Sequence, residues 1–249
     1  MIEIYLFSLI ILILSIFFGL KKINQKAYVL INKIQSQAEN GQHHYDQIDS
    51  LLWLYHTVKP DYPFPRFRGW AASPDFLRII VEKILAQNPK QILELGSGSS
   101  TIVLAEFLKK TKKSIKLISV DERKESYLNT FAQLKNRKLN KKVSLLFCPL
   151  TQYRTRFKNY KWYSIPEKVL KKKFDLVIID GPSTLNDPLS RQFTLDRLRR
   201  AAASNCTFIM DDAGRPGEQE ILQKWVATNK IKNLELVSSE KGTASFYLN

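Results

Sequence analysis

The chain has 249 residues, 44% of them hydrophobic and 25% charged, enough for one domain of ordinary size plus an extension. Its 9 Gly and 10 Pro exclude a collagen-like or low-complexity chain, and 2 Cys exclude a disulfide scaffold or a Cys-rich zinc module. With 39 Lys+Arg against 23 Asp+Glu, the net charge of +16 calls for an anionic partner, be it nucleic acid, anionic lipid or a charged substrate.

Residues 4–20 read IYLFSLIILILSIFFGL, without a charged side chain. With residues 1–3 they make a helix of about 30 Å, close to the hydrocarbon thickness of a bilayer. A core helix would carry a polar stripe, and a cleaved signal would carry a basic leader and a small-x-small site. Neither is present, so the expectation is an uncleaved transmembrane anchor over residues 1–20. Lys21, Lys22, Lys26 and Lys33 follow it. By the positive-inside rule they predict a single-pass protein of the inner or plasma membrane with its catalytic domain cytoplasmic.

Residues 21–72 are expected to form a helical stalk and a Pro-rich linker. Ile23, Ala27, Leu30, Ile31, Ile34 and Ala38 recur at helical spacing, and Asn40-Gly41 predicts a break before a second helix. This stretch either packs on the domain or pairs with a membrane surface or a second copy. Pro60, Pro63 and Pro65 force an extended loop, which ends in the basic and aromatic run Arg66-Phe67-Arg68-Gly69-Trp70.

From residue 73 to 249 the pattern changes. Ser73-Pro74 marks a helix start, with Ser at the N-cap and Pro in the first turn. Short apolar runs follow at 91–95, 115–120, 143–148, 174–180 and 206–211, separated by helical stretches near 99–110, 124–136, 187–200 and 216–229. Continuous apolar strands alternating with helices predict a doubly wound α/β fold with a parallel sheet covered on both faces. The runs 234–237 and 244–248 lie too close together for a helical crossover and predict a closing antiparallel hairpin.

The strongest chemical signal sits at the first of these strands. Ile92-Leu93-Glu94-Leu95-Gly96-Ser97-Gly98-Ser99-Ser100-Thr101 passes from strand through a Gly-rich turn into a helix. Gly96 and Gly98 permit a tight turn and a close ligand approach, and the helix start offers free N–H groups. Asp121 ends the second strand, about twenty residues beyond Gly98, where a carboxylate accepts ribose hydroxyls. Dinucleotide enzymes and S-adenosylmethionine enzymes share both features. The dinucleotide fingerprint, however, wants Gly or Ala where this chain has Thr101.

With its E-L-G-S-G-S-S motif and terminal hairpin, the chain resembles the class I S-adenosylmethionine-dependent methyltransferases over residues 73–249. The resemblance implies a seven-stranded, mostly parallel Rossmann-like sheet and an S-adenosylmethionine site at the strand ends. Gly96, Ser97 and Gly98 would approach the amino-acid portion of the cofactor, Glu94 its ammonium, and Asp121 its ribose. Beside the adenine, where the family often has an acid or small polar residue, this chain reads Phe147-Cys148-Pro149-Leu150.

Strand four ends in Asp180-Gly181-Pro182 and strand five in Asp211-Asp212, so three carboxylates are placed at neighbouring strand ends. Similar spacing in catechol-type O-methyltransferases binds a divalent ion. Asp180, Asp211 and Asp212 would suit a hard cation such as Mg²⁺, which lowers the pKa of an acceptor hydroxyl. Alternatively Asp180 or Asp211 acts without metal as a general base, or the pair caps the helix that follows.

The remaining chemistry-bearing residues are read more plainly. His43, His44 and His56 lie ahead of the domain, and Cys148 and Cys206 read as buried thiols. The pairs Lys109-Lys110, Lys112-Lys113 and Lys141-Lys142 read as a solvated face, and Arg66, Arg68, Arg191, Arg197 and Arg215 are candidates to hold an anionic acceptor. Tyr153, Tyr160, Trp162 and Tyr163 form an aromatic insertion that is either a lid or sugar-stacking surface or a packed loop.

The expected function is membrane-anchored O-methylation of a small-molecule, glycan or lipid-linked acceptor. An RNA methyltransferase is the alternative favoured by charge. It is disfavoured by the anchor and by the lack of an N-P-P-Y-type motif at strand four. The third alternative is a non-catalytic membrane-tethered interaction module that keeps the fold.

Overall fold

A helix, α1, runs from Ile2 to Val58 without interruption, through Asn40-Gly41 and across the expected break. The computed structural model describes residues 2–67, 69–111, 114–154, 159–185 and 187–249, and their side chains except those of 2–6, 8–14, 39 and 40. Arg68, Lys112 and Lys113 lie outside the described residues. The chain divides into two units, Met1–Asp46 and Gln47–Asn249.

Among the described residues, no helix is long and apolar enough to cross a membrane. The anchor expected over residues 1–20 is therefore not shown, and the single-pass membrane localisation is overturned. The helix that holds the uncharged run continues into Lys21, Lys22 and Lys26 rather than ending.

The second unit alternates helices and strands after α2 (Pro74–Gln87). They are β1 (Gln91–Leu95), α3 (Ser99–Lys110), β2 (Lys116–Asp121), α4 (Lys124–Asn136) and β3 (Val143–Phe147). An inserted antiparallel hairpin follows, β4 (Leu150–Arg154) and β5 (Asn159–Tyr163), and then α5 (Glu167–Leu170). The chain closes with β6 (Phe174–Ile179), α6 (Thr194–Leu198), β7 (Ala202–Met210), α7 (Pro216–Ala227), β8 (Ile231–Val237) and β9 (Thr243–Leu248).

Seven strands form one sheet in the order β3-β2-β1-β6-β7-β9-β8. Strands β3, β2, β1, β6 and β7 pair in parallel, and β9 is antiparallel to both β7 and β8. Helical crossovers permit the parallel pairs, while only the 238–242 turn joins β8 to β9, so that pair must be antiparallel.

The pleat sends alternate residues to opposite faces. Leu93, Leu95, Val177, Ile179, Phe208 and Met210 face one core, with Trp162 and Tyr163 of the inserted hairpin and Trp225 of α7. Ile92, Leu176, Ile178 and Ile209 face the other, with Phe76 and Ile80 of α2 and Ile102 and Val103 of α3. Each such aliphatic side chain, fully buried, contributes about 1.5–3 kcal/mol relative to exposure.

The aromatic insertion is therefore packed rather than a lid. Trp162 and Tyr163 are fully buried, the Trp162 indole donates to Thr194 Oγ1 at 3.3 Å, and the Arg197 guanidinium lies 4.1 Å over the Tyr153 ring. Ser73 sits at the N-cap of α2 with extended backbone, but its hydroxyl donates to Asp75 instead of capping the helix. Lys109 and Lys110 both pair with Asp61. Cys148 and Cys206 are buried and unpaired, and burial pushes their thiols up to about 11 and about 12. Neither is expected to react with a thiol reagent at pH 8 until the protein is unfolded, which a labelling time course with and without urea would check.

Candidate active site

The carboxyl ends of β1, β2, β6 and β7 meet at one edge of the sheet, where a cleft opens. Its walls include Gly96, Ser97, Asp121, Glu122, Ser126, Asp180, Arg191 and Asp212. Two adjacent ladders hold the Gly-rich turn in place: Gly96 N–H donates to Val120 O at 3.0 Å, and Asp180 N–H donates to Leu95 O at 2.9 Å.

Gly96 is required twice over. Its φ is +97°, and a Cβ there would lie 3.1 Å from the carbonyl carbon and oxygen of Asp180. Gly98 differs: a Cβ there meets nothing within 4 Å. Its N–H donates to Thr101 Oγ1 at 3.1 Å, and the Thr101 hydroxyl donates to Glu94 Oε2 at 2.6 Å. Thr101, the residue that departs from the dinucleotide fingerprint, thus ties the turn to the strand beneath it.

Glu94 is fully buried under α3 and is not part of the cleft wall, and its Oε1 has no hydrogen-bond partner. Burial raises its pKa, partly offset by neighbouring hydroxyls. Asp121 lines the cleft. Its Oδ2 accepts from Ser97 N–H at 3.1 Å and from the Ser97 hydroxyl at 2.6 Å, and its Oδ1 accepts from Arg123 N–H at 2.9 Å. Burial raises the Asp121 pKa, and the Ser97 hydroxyl opposes this.

Across the cleft, Asp180, Asp211 and Asp212 each bring one carboxylate oxygen to within 4.8 Å of the others. Asp211 is fully buried and neither of its oxygens accepts a hydrogen bond. Burial, then the neighbouring Asp212 charge, lifts its pKa to about 6. Asp180 is half-buried, and desolvation with the Asp211 charge raises its pKa well above the usual carboxylate value. Asp212 sits in the left-handed region at φ +63°. The Asp211-Asp212 pair makes no side-chain cap on α7.

Arg191 was grouped by sequence among candidates for an anionic acceptor, but the fold uses it differently. It is 2% exposed, and it donates to the backbone carbonyls of Pro182, Asp211 and Asp180 at 3.1–3.3 Å. Its guanidinium pairs with Asp212 at 3.1 Å and Glu218 at 3.3 Å and stands 3.9 Å from Asp180. It is the internal counter-charge of the acidic cluster. Nothing in the run Pro188-Leu189-Ser190-Arg191-Gln192 distinguishes such an arginine, and Glu218 was missed for the same reason.

Sequence reasoning also missed Glu122, Lys241 and Trp70 as members of the cleft. Glu122 Oε1 accepts from Ser183 N–H at 2.9 Å, Lys241 arrives on the β8–β9 turn, and Trp70 arrives on the loop before α2. Only the Arg66-to-Trp70 run was legible as unusual.

Residues 93–213 match the family model of a methyltransferase domain. The fold is similar to that of the SAH-bound methyltransferase PaMTH1 of Podospora anserina, at TM-score 0.58 and 14% identity over 86% of this chain and 96% of that one. It is also similar to an O-methyltransferase of Bacillus cereus in complex with SAH, at TM-score 0.54 and 13% identity over 82% and 91%. No curated protein matches the sequence significantly. With its turn, its sheet order and this match over residues 93–213, the chain carries a methyltransferase domain.

Proposed function

We propose that the enzyme methylates a hydroxyl oxygen of a small-molecule or glycan acceptor, with Asp180, Asp211 and Asp212 managing the acceptor proton. The observation that carries this reading is the convergence of the three carboxylates within 4.8 Å, with Asp180 and Asp212 on the cleft wall and Asp211 buried behind them.

S-adenosylmethionine supplies an already activated methyl group, so the side chains have only to position the acceptor and accept its proton. The cofactor-side residues fit this role. Gly96 leaves the turn open to close approach, Ser97 lines it, and Asp121 Oδ1, with one bond made, retains acceptor capacity for a ribose hydroxyl. Glu94 acts from beneath, holding Thr101 and through it Gly98.

The donor set also fits a hard divalent cation. Three carboxylates converge, and the two oxygens of Asp211 are buried without a hydrogen-bond partner. Mg²⁺ held there by Asp180, Asp211 and Asp212 would favour the ionised form of an acceptor hydroxyl. A metal-free reading is favoured by one observation: Asp180 borders the cleft with a raised pKa, as a general base requires.

Calorimetric titration of S-adenosylmethionine into the full chain tests the cofactor roles. Asp121→Asn should weaken binding tenfold or more, about 1.4 kcal/mol. Equal affinity in the variant would remove Asp121 from the site, and no heat from folded protein would sink the proposed activity. For the metal, Mg²⁺ should raise the melting temperature of the parent protein but not of Asp211→Asn. An identical response in both, with transfer unaffected by EDTA, would leave the metal-free base.

A further inference from the structure

The cleft has a second wall that the chemistry above does not use. Trp70 borders it with 62% of its surface exposed, beside Arg215 and Lys241. A tryptophan left that open does little for the core, since burial is what makes an aromatic side chain stabilising.

Its position is nevertheless closely held. Lys241 Nζ donates to Ala71 O at 3.0 Å, and Asp75 Oδ2 accepts from Glu240 N–H at 2.7 Å, so the 238–242 turn is fastened both to the Trp70 loop and to the start of α2 that follows it. That turn is in turn fastened to the loop after β7. Gly214 N–H donates to Lys241 O at 2.9 Å, and Ala213 N–H donates to Gly242 O at 2.9 Å. A Cβ on Gly214 would lie 2.9 Å from Lys241 O, so the two loops are in backbone contact. Arg215, on the same loop, pairs with Asp212 at 2.8 Å while its side chain stays 37% exposed. An indole face, an ammonium and a guanidinium are therefore built side by side next to the carboxylate cluster.

We infer that the acceptor is a hydroxylated ring carrying an anionic group. The ring lies on the Trp70 indole, the anion is held by Lys241 and Arg215, and the hydroxyl to be methylated is directed at Asp180. An indole face takes either an aromatic ring or the C–H face of a sugar, so the shared chemistry is a ring with a carboxylate or phosphate. Lys241 and Arg215 each make one contact within the fold, and both also line the cleft, where an ammonium and a guanidinium side by side favour an anion on the acceptor. This inference rests on the proposed methyl-transfer site.

The test uses full-length protein saturated with SAH and four probes: 3,4-dihydroxybenzoate, catechol, glucuronate and glucose. Binding is read by calorimetry. Within at least one pair, the anionic member should bind at least tenfold tighter than its neutral counterpart, and the pair that responds identifies an aromatic or a sugar acceptor. Lys241→Gln should reduce that preference to threefold or less. Trp70→Ala should weaken both members of the pair about tenfold and leave SAH affinity unchanged.

Equal binding of charged and neutral members would overturn the inference, as would an unchanged preference in Lys241→Gln. Loss of SAH binding in the parent protein would instead strike the proposed function. If SAH binds and none of the four probes does, the acceptor class is wrong and the methyl-transfer site still stands.

Discussion

Replacing Arg191 with methionine is expected to destabilise the second unit by about 3–5 kcal/mol at pH 7.5, a large share of an ordinary domain's stability. The volume is nearly conserved, so the loss is electrostatic. Three carbonyls lose their donor, and Asp180, Asp211, Asp212 and Glu218 lose the one guanidinium buried among them. Urea unfolding gives the number directly. Coupling Arg191→Met to Asp212→Asn should recover part of it, because one uncompensated charge is then removed. A loss under 1 kcal/mol, well below the buried-pair range, would mean the cluster is neutral without Arg191.

The pH dependence of the same cluster has a defined sign. The folded pKa of Asp211 is about 6, above the ordinary 3.8, so the folded state holds a proton that the unfolded state has released. Stability contributed by this group is greatest below about 4, falls as pH rises toward 6 and is level above that. Asp211→Asn should flatten this slope, and the penalty of Arg191→Met should be smaller at pH 5 than at pH 7.5. Unfolding curves at half-unit pH steps would show both effects, and a parent stability that rises between pH 4 and 6 for Asp211 to explain would contradict the assignment.

Gly96→Ala is expected to have the largest effect on activity. A φ of +97° in a non-Gly residue costs about 1–3 kcal/mol. The new methyl also meets the Asp180 carbonyl at 3.1 Å, and that atom is backbone at the end of β6, with no rotamer to yield. Relief requires the turn and the strand end to separate. That displaces Asp180 relative to Ser97 and Asp121, the two sides between which transfer takes place. Misplacement approaching 1 Å costs about 100-fold in rate, so transfer should fall by at least that factor. Gly98→Ala is the matched control for stability: its backbone is extended and its Cβ position is open, so unfolding should change by less than about 1 kcal/mol. Equal loss of stability in the two variants would show that the turn is merely Gly-rich, with no specific contact at Gly96.

Much of the second unit was legible in the sequence because its signals are local. Continuous apolar runs between amphipathic stretches specify parallel strands with helical crossovers, whatever else surrounds them. The short 238–242 connection admits only an antiparallel partner. Glu94-to-Thr101 and Asp121 were recognisable because a strand-turn-helix needs glycine at a set offset and an acid at the next strand end.

The N-terminal region was misread for a related reason. An uncharged run is a local signal for a bilayer, but whether it is long enough depends on the helix that contains it. Here that helix runs on into lysines.

Residues that meet only through long-range pairing carried no such signal. Arg191, Glu218, Trp70 and Lys241 come from four separated segments; Glu218 and Lys241 look in sequence like ordinary exposed residues, and nothing local to Arg191 or Trp70 tells what each will meet. The register of β6 against β7 sets Asp180 beside Asp211, and the packing of α7 and the 238–242 turn brings Glu218 and Lys241 to them. Which arginine becomes a buried counter-charge and which stays at the cleft mouth depends on the depth at which the tertiary fold places it. Desolvation, the cause of the raised carboxylate pKa values here, is a property of that depth. The fold class, the Gly-rich turn and the inventory of carboxylates follow from local residue order; which charges are buried together and which side chains line the cleft follow from packing between distant segments.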